Sequence, residues 1–347
     1  MKKLFITLAI LIAIGITLKL TVFKGMNVNV ETFEKTSTTA NGKLDQLIIS
    51  GPMANVSHPV FRMMETGALD AIANKVVFKL WKNPDQLKAM ILNKEVDFVA
   101  VPTNVGAILY NKEQPIKLLN VSVWGILKIL TRDENVKSLD DLKGKELLVP
   151  WRGDMPDIVL RAVLKKKGFS KDDIKISYVS NPMDAAKQLI MRKADNILLP
   201  EPASSMVLRK TKSFPVKLVA PTVFRGVDIK KEWGEAYGRE SKIPVAGMAV
   251  IGKMLENKEA IKLFEAEYAK AMDWYKAHPK EAGILSAKYV TMFTADAFTD
   301  SIGFTKLEVI KAVDVKDDLD FFFNVLKKDN PKTIGGSLPD NGFYIEG

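Results

Sequence analysis

Residues 83–109 recur, without a gap, ninety-eight positions downstream. NPDQLKAMILNKEVDFVAVPTNVGAIL lies over NPMDAAKQLIMRKADNILLPEPASSMV, so that Asn83-Pro84 falls on Asn181-Pro182, Asp97 on Asp195 and Pro102 on Pro200. Each copy has a short β-prone run before its Asn-Pro (KVVFKLW, DIKISYV), then a helical stretch, then an apolar strand that ends at proline and leads into another helix. Further upstream, LIISGPMANVSHPVFRMMETG and ELLVPWRGDMPDIVLRAVLKKKG pair as strand, loop and helix ending in glycine. A β-α-β-α-β-α module present twice predicts two similar α/β lobes. Ligands of such sheets sit outside the carboxyl ends of the strands, so the working part is expected in a cleft between the lobes.

The rest of the chain arranges itself around the two copies. A first strand is expected to end at Gly51-Pro52, and the next helix to open at Pro59, with Ser57 or His58 near its cap, and to stop at Gly67. IKLLNVSVWGILKILTR is a long β-prone run broken at Trp124-Gly125, as a segment passing between lobes would be, and SLDDLKGK reads as a turn with an N-cap at Ser138. FPVKLVAPTVF is a strand candidate, the stretch around 233–239 with its two glycines reads as loop, and IPVAGMAVIG reads as the return crossing. The remainder is expected to be helical, with an interruption at His278-Pro279. These boundaries give a first lobe of residues 44–125 and 247–347, with residues 126–246 inserted as the second lobe.

Lys2 and Lys3 precede an almost wholly apolar stretch that runs to Leu18, as in a signal peptide. Residues 1–23 are read as a signal for export or as an uncleaved anchor, since about twenty apolar residues suffice to span a bilayer. The polar residues 24–43 read as a flexible linker. Six lysines and two glutamates in residues 1–43 supply +4 of the chain's +10, and the remaining charge is spread thinly. No dense basic run with interleaved aromatics stands out, which argues against a nucleic-acid partner. With no cysteine, disulfides, zinc-thiolate sites and a lipidated cysteine are excluded. The expected location is the periplasm, with retention by the N-terminal helix as the variant.

The loops after corresponding strands should face each other across the cleft. In the first lobe they carry Asn55, Ser57, His58, Thr103 and Asn104, and in the second Trp151, Arg152, Gly153, Asp154, Glu201 and Ser204. Each loop leads into a helix whose free N–H groups favour an acceptor on the ligand. Trp151 is placed to stack on a planar solute and Arg152 to clamp a carboxylate or sulfonate, while Glu201 would either welcome an amine or ring N–H or pair with a basic residue of the hinge. Capping is the competing role for the hydroxyl, amide and Asp154 side chains. His58 has no second histidine or acidic cluster beside it, so neither a metal nor a cofactor is expected.

Taken together, the export signal, NKEVDFVAVP, SLDDLKGKELLV, LLPEPASS, the HPKEAG helix and the tail NPKTIGGSLPDNGFY resemble the periplasmic solute-binding proteins of nitrate/sulfonate/taurine-type ABC importers. Thiamine-precursor-binding proteins and pyrimidine-synthase relatives form part of the same broad group. The chain departs from the usual glycine before the aspartate, having Lys94-Glu95 and Lys193-Ala194 there. The resemblance implies a type II periplasmic-binding-protein fold, α/β with a two-strand hinge. Its function would be to capture a small organic anion or heterocyclic nutrient as a monomer and hand it to a membrane permease. A biosynthetic enzyme of the same fold and a membrane-anchored sensor are the alternatives. No Ser-His-Asp arrangement, HExxH, P-loop or GxGxxG supports the enzyme.

Overall fold

The computed structural model describes residues 32–36, 43–214, 216–218, 220 and 222–345. Within them the repeat becomes two sheets of one strand order. The first lobe runs β1 (Thr32–Thr36), β2 (Leu47–Gly51), α1 (His58–Thr66), β3 (Lys75–Leu80), α2 (Pro84–Leu92), β4 (Phe98–Pro102), α3 (Thr103–Asn111), β5 (Ile116–Leu118) and β6 (Asn120–Val123). The second runs β7 (Leu127–Thr131), β8 (Glu146–Pro150), α4 (Met155–Lys166), β9 (Lys175–Val179), α5 (Pro182–Ile190), β10 (Asn196–Pro200), α6 (Ala203–Lys212), β11 (Phe224–Asp228) and α7 (Ile229–Tyr237). The chain then returns through β12 (Ala246–Ile251), α8 (Lys258–Ala277), α9 (Pro279–Tyr289), α10 (Ala295–Phe304), β13 (Leu307–Lys311) and α11 (Lys316–Asp329).

The first sheet has the order β1-β3-β2-β4-β12-β6-β13, and the second β11-β7-β10-β8-β9. Its central five strands, β3-β2-β4-β12-β6, correspond one to one with β9-β8-β10-β7-β11. In each set the first three strands are parallel, and the fourth, which has crossed from the other lobe, is antiparallel to its neighbours. Local chemistry repeats as well. Asn83 and Asn181 hold nearly the same extended backbone and accept from Gln86 N and Asp184 N, capping α2 and α5, each with proline in the first turn. After these helices, Lys94 and Arg192, ninety-eight positions apart, adopt left-handed φ of 58° and 59° at equivalent turns.

Trp124 and Gly125 are the point of passage between the sheets. The return strand lies beside it, with Ile243 N donating to Trp124 O at 2.8 Å and Val245 N to Val123 O at 3.0 Å. Gly125 sits at φ 149°, and a Cβ there would fall 2.6 Å from Lys230 Cδ. In β12 a Cβ on Gly247 would fall 1.7 Å from the Asn120 carbonyl oxygen, so only glycine fits where the two crossings touch.

Four local expectations are corrected. Part of the segment read as linker is the edge strand β1, held on β3 by its ladder and by a Lys75–Glu34 ion pair at 2.7 Å. The strand expected at 214–224 begins only at Phe224, and Val216–Leu218 forms a 3₁₀ turn instead. The stretch around 233–239 is helical through Tyr237: Asp228 caps α7, Ile229 and Trp233 bury one face, and Gly234 lets the chain at Arg239 and Ser241 approach within about a Cβ's reach. The final third is not wholly helical, because LEVIK pairs with β6 as β13. In addition, α11 packs against the second lobe, with Phe322 and Trp233 rings 5.6 Å apart and Arg239–Asp318 at 3.1 Å. Residues 1–23, read as an export signal or anchor, lie outside the described residues. Among the described residues no helix is long and apolar enough to cross a membrane.

Candidate functional site

The carboxyl ends of six strands meet at one cavity of about 150 Å³ between the lobes. Pro52 follows β2, Trp81 follows β3 and Pro102 ends β4; opposite them Trp151 follows β8, Asn181 stands just beyond β9 and Glu201 follows β10. Except for Lys82, Asn181 and Glu201, every lining residue is apolar, with Met53, Met155, Met183 and Phe293 closing the walls. An apolar space of this size holds a single benzene-sized ring.

Trp151 is the most constrained residue of the wall. It sits at φ 56°, a left-handed conformation that costs a bulky residue of order 1–3 kcal/mol. Its N–H donates to Val179 O at 3.2 Å and its carbonyl accepts from Asp154 N at 3.0 Å, so the β8–α4 turn fixes the ring's position. The indole Nε1 is buried and has no hydrogen-bond partner. Trp81 follows β3, the neighbour of β2 in the first lobe, its N–H donating to Gly51 O, and its Nε1 is satisfied by Ala100 O at 3.3 Å.

Glu201 is fully buried and already spoken for. One carboxylate oxygen accepts from Arg225 Nη2 at 2.6 Å, and the other from Ser205 N at 3.0 Å and Ser205 Oγ at 2.8 Å. The pairing partner is a residue of β11, not of the hinge. Asn181 is also spent: its Oδ1 caps α5 and its Nδ2 donates to Asp184 Oδ2 at 2.8 Å. Lys82, by contrast, has no ion-pair partner among the described residues, while its backbone N–H donates to Gln86 Oε1.

Of the eleven residues expected at the cleft, the structure brings Trp151 and Glu201 to the cavity wall. The other nine are not among its lining residues. Ser57 Oγ donates to Pro52 O and Thr103 Oγ1 to Pro244 O, closing loop and hinge; Asn104 Nδ2 donates to Thr333 O of the C-terminal tail, and Ser204 Oγ to Leu199 O. Asn55 donates to Thr305 Oγ1 inside the first lobe. His58 lies in the same interior, Nδ1 2.7 Å from Tyr275 Oη and its ring against Phe61 and Phe298, and burial pushes its pKa down to about 3. Arg152 and Gly153 are exposed: the Arg152 guanidinium lies over the Tyr178 ring, and Gly153 N donates to Asp157 Oδ2. Asp154 is the N-cap residue of α4 without a side-chain capping bond, and desolvation raises its pKa. Met53, Trp81, Met155, Met183 and Phe293 carry the wall instead. An apolar residue at a strand end reads as core in a sequence, and the only available signal was its place in the repeat. Among the described residues no group of three or more His, Cys, Asp or Glu could hold a metal ion.

Outside the cavity, Arg209 of α6 reaches across to α10 of the first lobe. It binds Asp300 with two parallel hydrogen bonds, 2.6 and 2.8 Å, and Asp296 with a third at 2.9 Å. Arg225 stacks on Phe304 of α10, 3.5 Å from the ring centre.

Two lobes of one strand order that share a cavity beneath paired crossings make this a type II periplasmic-binding-protein fold. The family model described as NMT1/THI5 like matches residues 75–282, more than half of the chain, and the chain belongs to that family. A Brucella abortus protein named as a candidate binding protein is 24% identical over 196 residues, 56% of each chain. The chain thus spans about half the length of the curated relatives it matches. The solved structure of an ABC transporter from Parabacteroides distasonis superposes with a TM-score of 0.72 at 22% identity, covering 87% of this chain and 99% of that one. The periplasmic aliphatic sulphonate binding protein from Escherichia coli gives 0.65 at 13%, covering 87% and 92%.

Proposed function

We propose that this protein is the solute-binding component of an ABC importer, exported to the periplasm, where it captures a small molecule between its lobes and delivers it to a membrane permease. The observation that carries the reading is the cavity itself, to which both lobes contribute the ends of three strands. Neither lobe alone can enclose a solute, so binding favours the closed arrangement and makes closure the signal a permease can read. The names of the sulphonate-binding and ABC transporter neighbours support the same role. Binding without turnover is favoured over an enzyme because the wall offers no paired acid and base: Glu201 and Asn181 are occupied by their own lobe, and Lys82 stands alone.

The test uses the protein's own solute. Small molecules released by denaturing natively purified protein are added back to refolded, solute-free chain, and melting is followed. A raised melting temperature for wild type that is absent for Ala54→Trp, which places an indole in the cavity mouth on a loop, supports the reading. No stabilisation of wild type, or equal stabilisation of both, counts against it.

A further inference from the structure

Asp157, in the first turn of α4, is 2% exposed and lies off the cavity wall, yet its carboxylate gathers three donors around the loop that carries Trp151. Oδ2 accepts from Gly153 N at 2.8 Å, and Oδ1 accepts from Arg161 Nε at 2.8 Å and from Tyr178 Oη at 2.9 Å. Tyr178 stands one residue before Val179, whose carbonyl accepts from the Trp151 N–H, and Arg161 Nη2 donates to Tyr178 Oη as well. The carboxylate thus ties the β8–α4 turn to the helix that follows it and to strand β9. Within that turn Trp151 and Gly153 are both left-handed, at φ 56° and 79°. Glycine adopts this conformation freely and tryptophan does not, so Trp151 stays there only while its surroundings over-determine it. A buried carboxylate is suited to that task, because its charge-assisted hydrogen bonds are stronger than neutral ones.

The first lobe closes its corresponding loop by other means. Pro52 follows β2 as Trp151 follows β8, both on the cavity wall, and there Ser57 Oγ donates to the Pro52 carbonyl at 2.7 Å. Helices α1 and α4 each open with a proline in the first turn, and the residue after it is the buried, apolar Val60 in one and Asp157 in the other. The strand-loop-helix unit therefore folds without a carboxylate at this place. Asp157 occurs in the copy whose loop carries a bulky left-handed residue. Resting on the importer reading, we infer that Asp157 is a positioning residue for solute binding: without touching the solute, it holds the β8–α4 turn so that the Trp151 ring stays in the inter-lobe wall. With the carboxylate gone, Gly153 N loses its acceptor, Trp151 relaxes toward negative φ, and the ring leaves the wall.

The chain has five tryptophans, and labelled with 5-fluorotryptophan it gives five fluorine resonances, of which that of Trp151 is the one Trp151→Phe removes. In refolded, solute-free protein, Asp157→Ala is expected to shift or split the Trp151 resonance by more than its linewidth and to leave the other four in place. The small molecules released from natively purified protein, added back to solute-free chain, should bind Asp157→Ala about fivefold or more weakly than wild type. In a Trp151→Ala background the same substitution should change binding by less than about twofold, since its effect runs through the ring. Asp157→Asn, whose amide oxygen still accepts from Gly153 N while its amide N–H donates to Tyr178 Oη, should restore both resonance and affinity. Should Asp157→Ala fail to fold, Asp157→Ser, whose hydroxyl falls short of Gly153 N, takes its place. An unmoved Trp151 resonance, a loss of affinity that persists without Trp151, or no rescue by asparagine overturns the assignment. If wild type binds the released molecules and Asp157→Ala binds them equally well, the positioning role falls and the importer reading stands. If wild type binds none of them, both fall.

Discussion

Arg209 and Asp300 sit on opposite lobes and meet in a two-pronged ion pair, with Asp296 taking the third guanidinium bond. The pair is half exposed, so it contributes on the order of 1 kcal/mol and not more. That is enough to bias an equilibrium between open and closed lobes that lie a few kcal/mol apart. Arg209→Gln is expected to increase the radius of gyration of the solute-free protein in small-angle scattering and to weaken solute binding severalfold, leaving the melting of each lobe nearly unchanged. An unaltered radius would mean that the hinge alone sets the closed state.

The Glu201–Arg225 pair is buried on the carboxylate side, where no water can take over from the arginine. Arg225→Ala should lower stability by roughly 3–5 kcal/mol, the cost of leaving a buried charge without its partner. Replacing both residues by apolar ones of similar volume should recover much of it. Chemical denaturation of the single and double variants measures the difference.

Trp151→Ala removes an aromatic side chain from the cavity wall. Affinity for the solute should fall by roughly 1–3 kcal/mol, as for an aromatic anchor in a small pocket. The melting temperature should shift little, because the indole faces the cavity and not a lobe core. Titration calorimetry alongside thermal melting separates these; an unchanged affinity with a lowered melting temperature would return the residue to the core.

His58 gives the protein an acid-sensitive interior. Its folded pKa is depressed to about 3 by burial, whereas in the unfolded chain it titrates near its ordinary 6.5. Between these values the unfolded chain binds a proton that the folded chain refuses, so His58's contribution is fully present above about pH 6.5 and is lost as pH falls toward 3. His58→Gln, which keeps a partner for the Tyr275 hydroxyl, should be less stable than wild type at about pH 8 yet lose less on going to about pH 4.5. Parallel pH dependence of the two proteins would place the titrating group elsewhere.

The layout of both lobes was legible because it is written twice. Asn83 and Asn181, capping equivalent helices ninety-eight residues apart, come from a pattern that needs no tertiary context, as does the change of sheet at Trp124-Gly125. What stayed hidden depends on neighbours distant in sequence. α7 is a helix because Trp233 finds Phe322 and Gly234 finds the chain at Ser241, and β13 is a strand because β6 offers it a free edge. The cavity wall suffered from the same blindness. Ser57, Thr103 and Ser204 are polar residues at strand ends that bond back to carbonyls of their own surroundings, while Met155, Met183 and Phe293, which look like core, face the other lobe. A left-handed Trp151 has no sequence signature, since the turn that imposes it is set by Val179 and Asp154.

Native mass spectrometry of the protein purified without denaturation tests most directly whether the inter-lobe cavity holds a solute. Wild type should carry one small-molecule adduct per chain, released on unfolding, and both Ala54→Trp and Trp151→Ala should lose most of it. An adduct retained equally by wild type and both variants, or wild-type protein free of any adduct and unaffected by its own cell extract, would contradict the account.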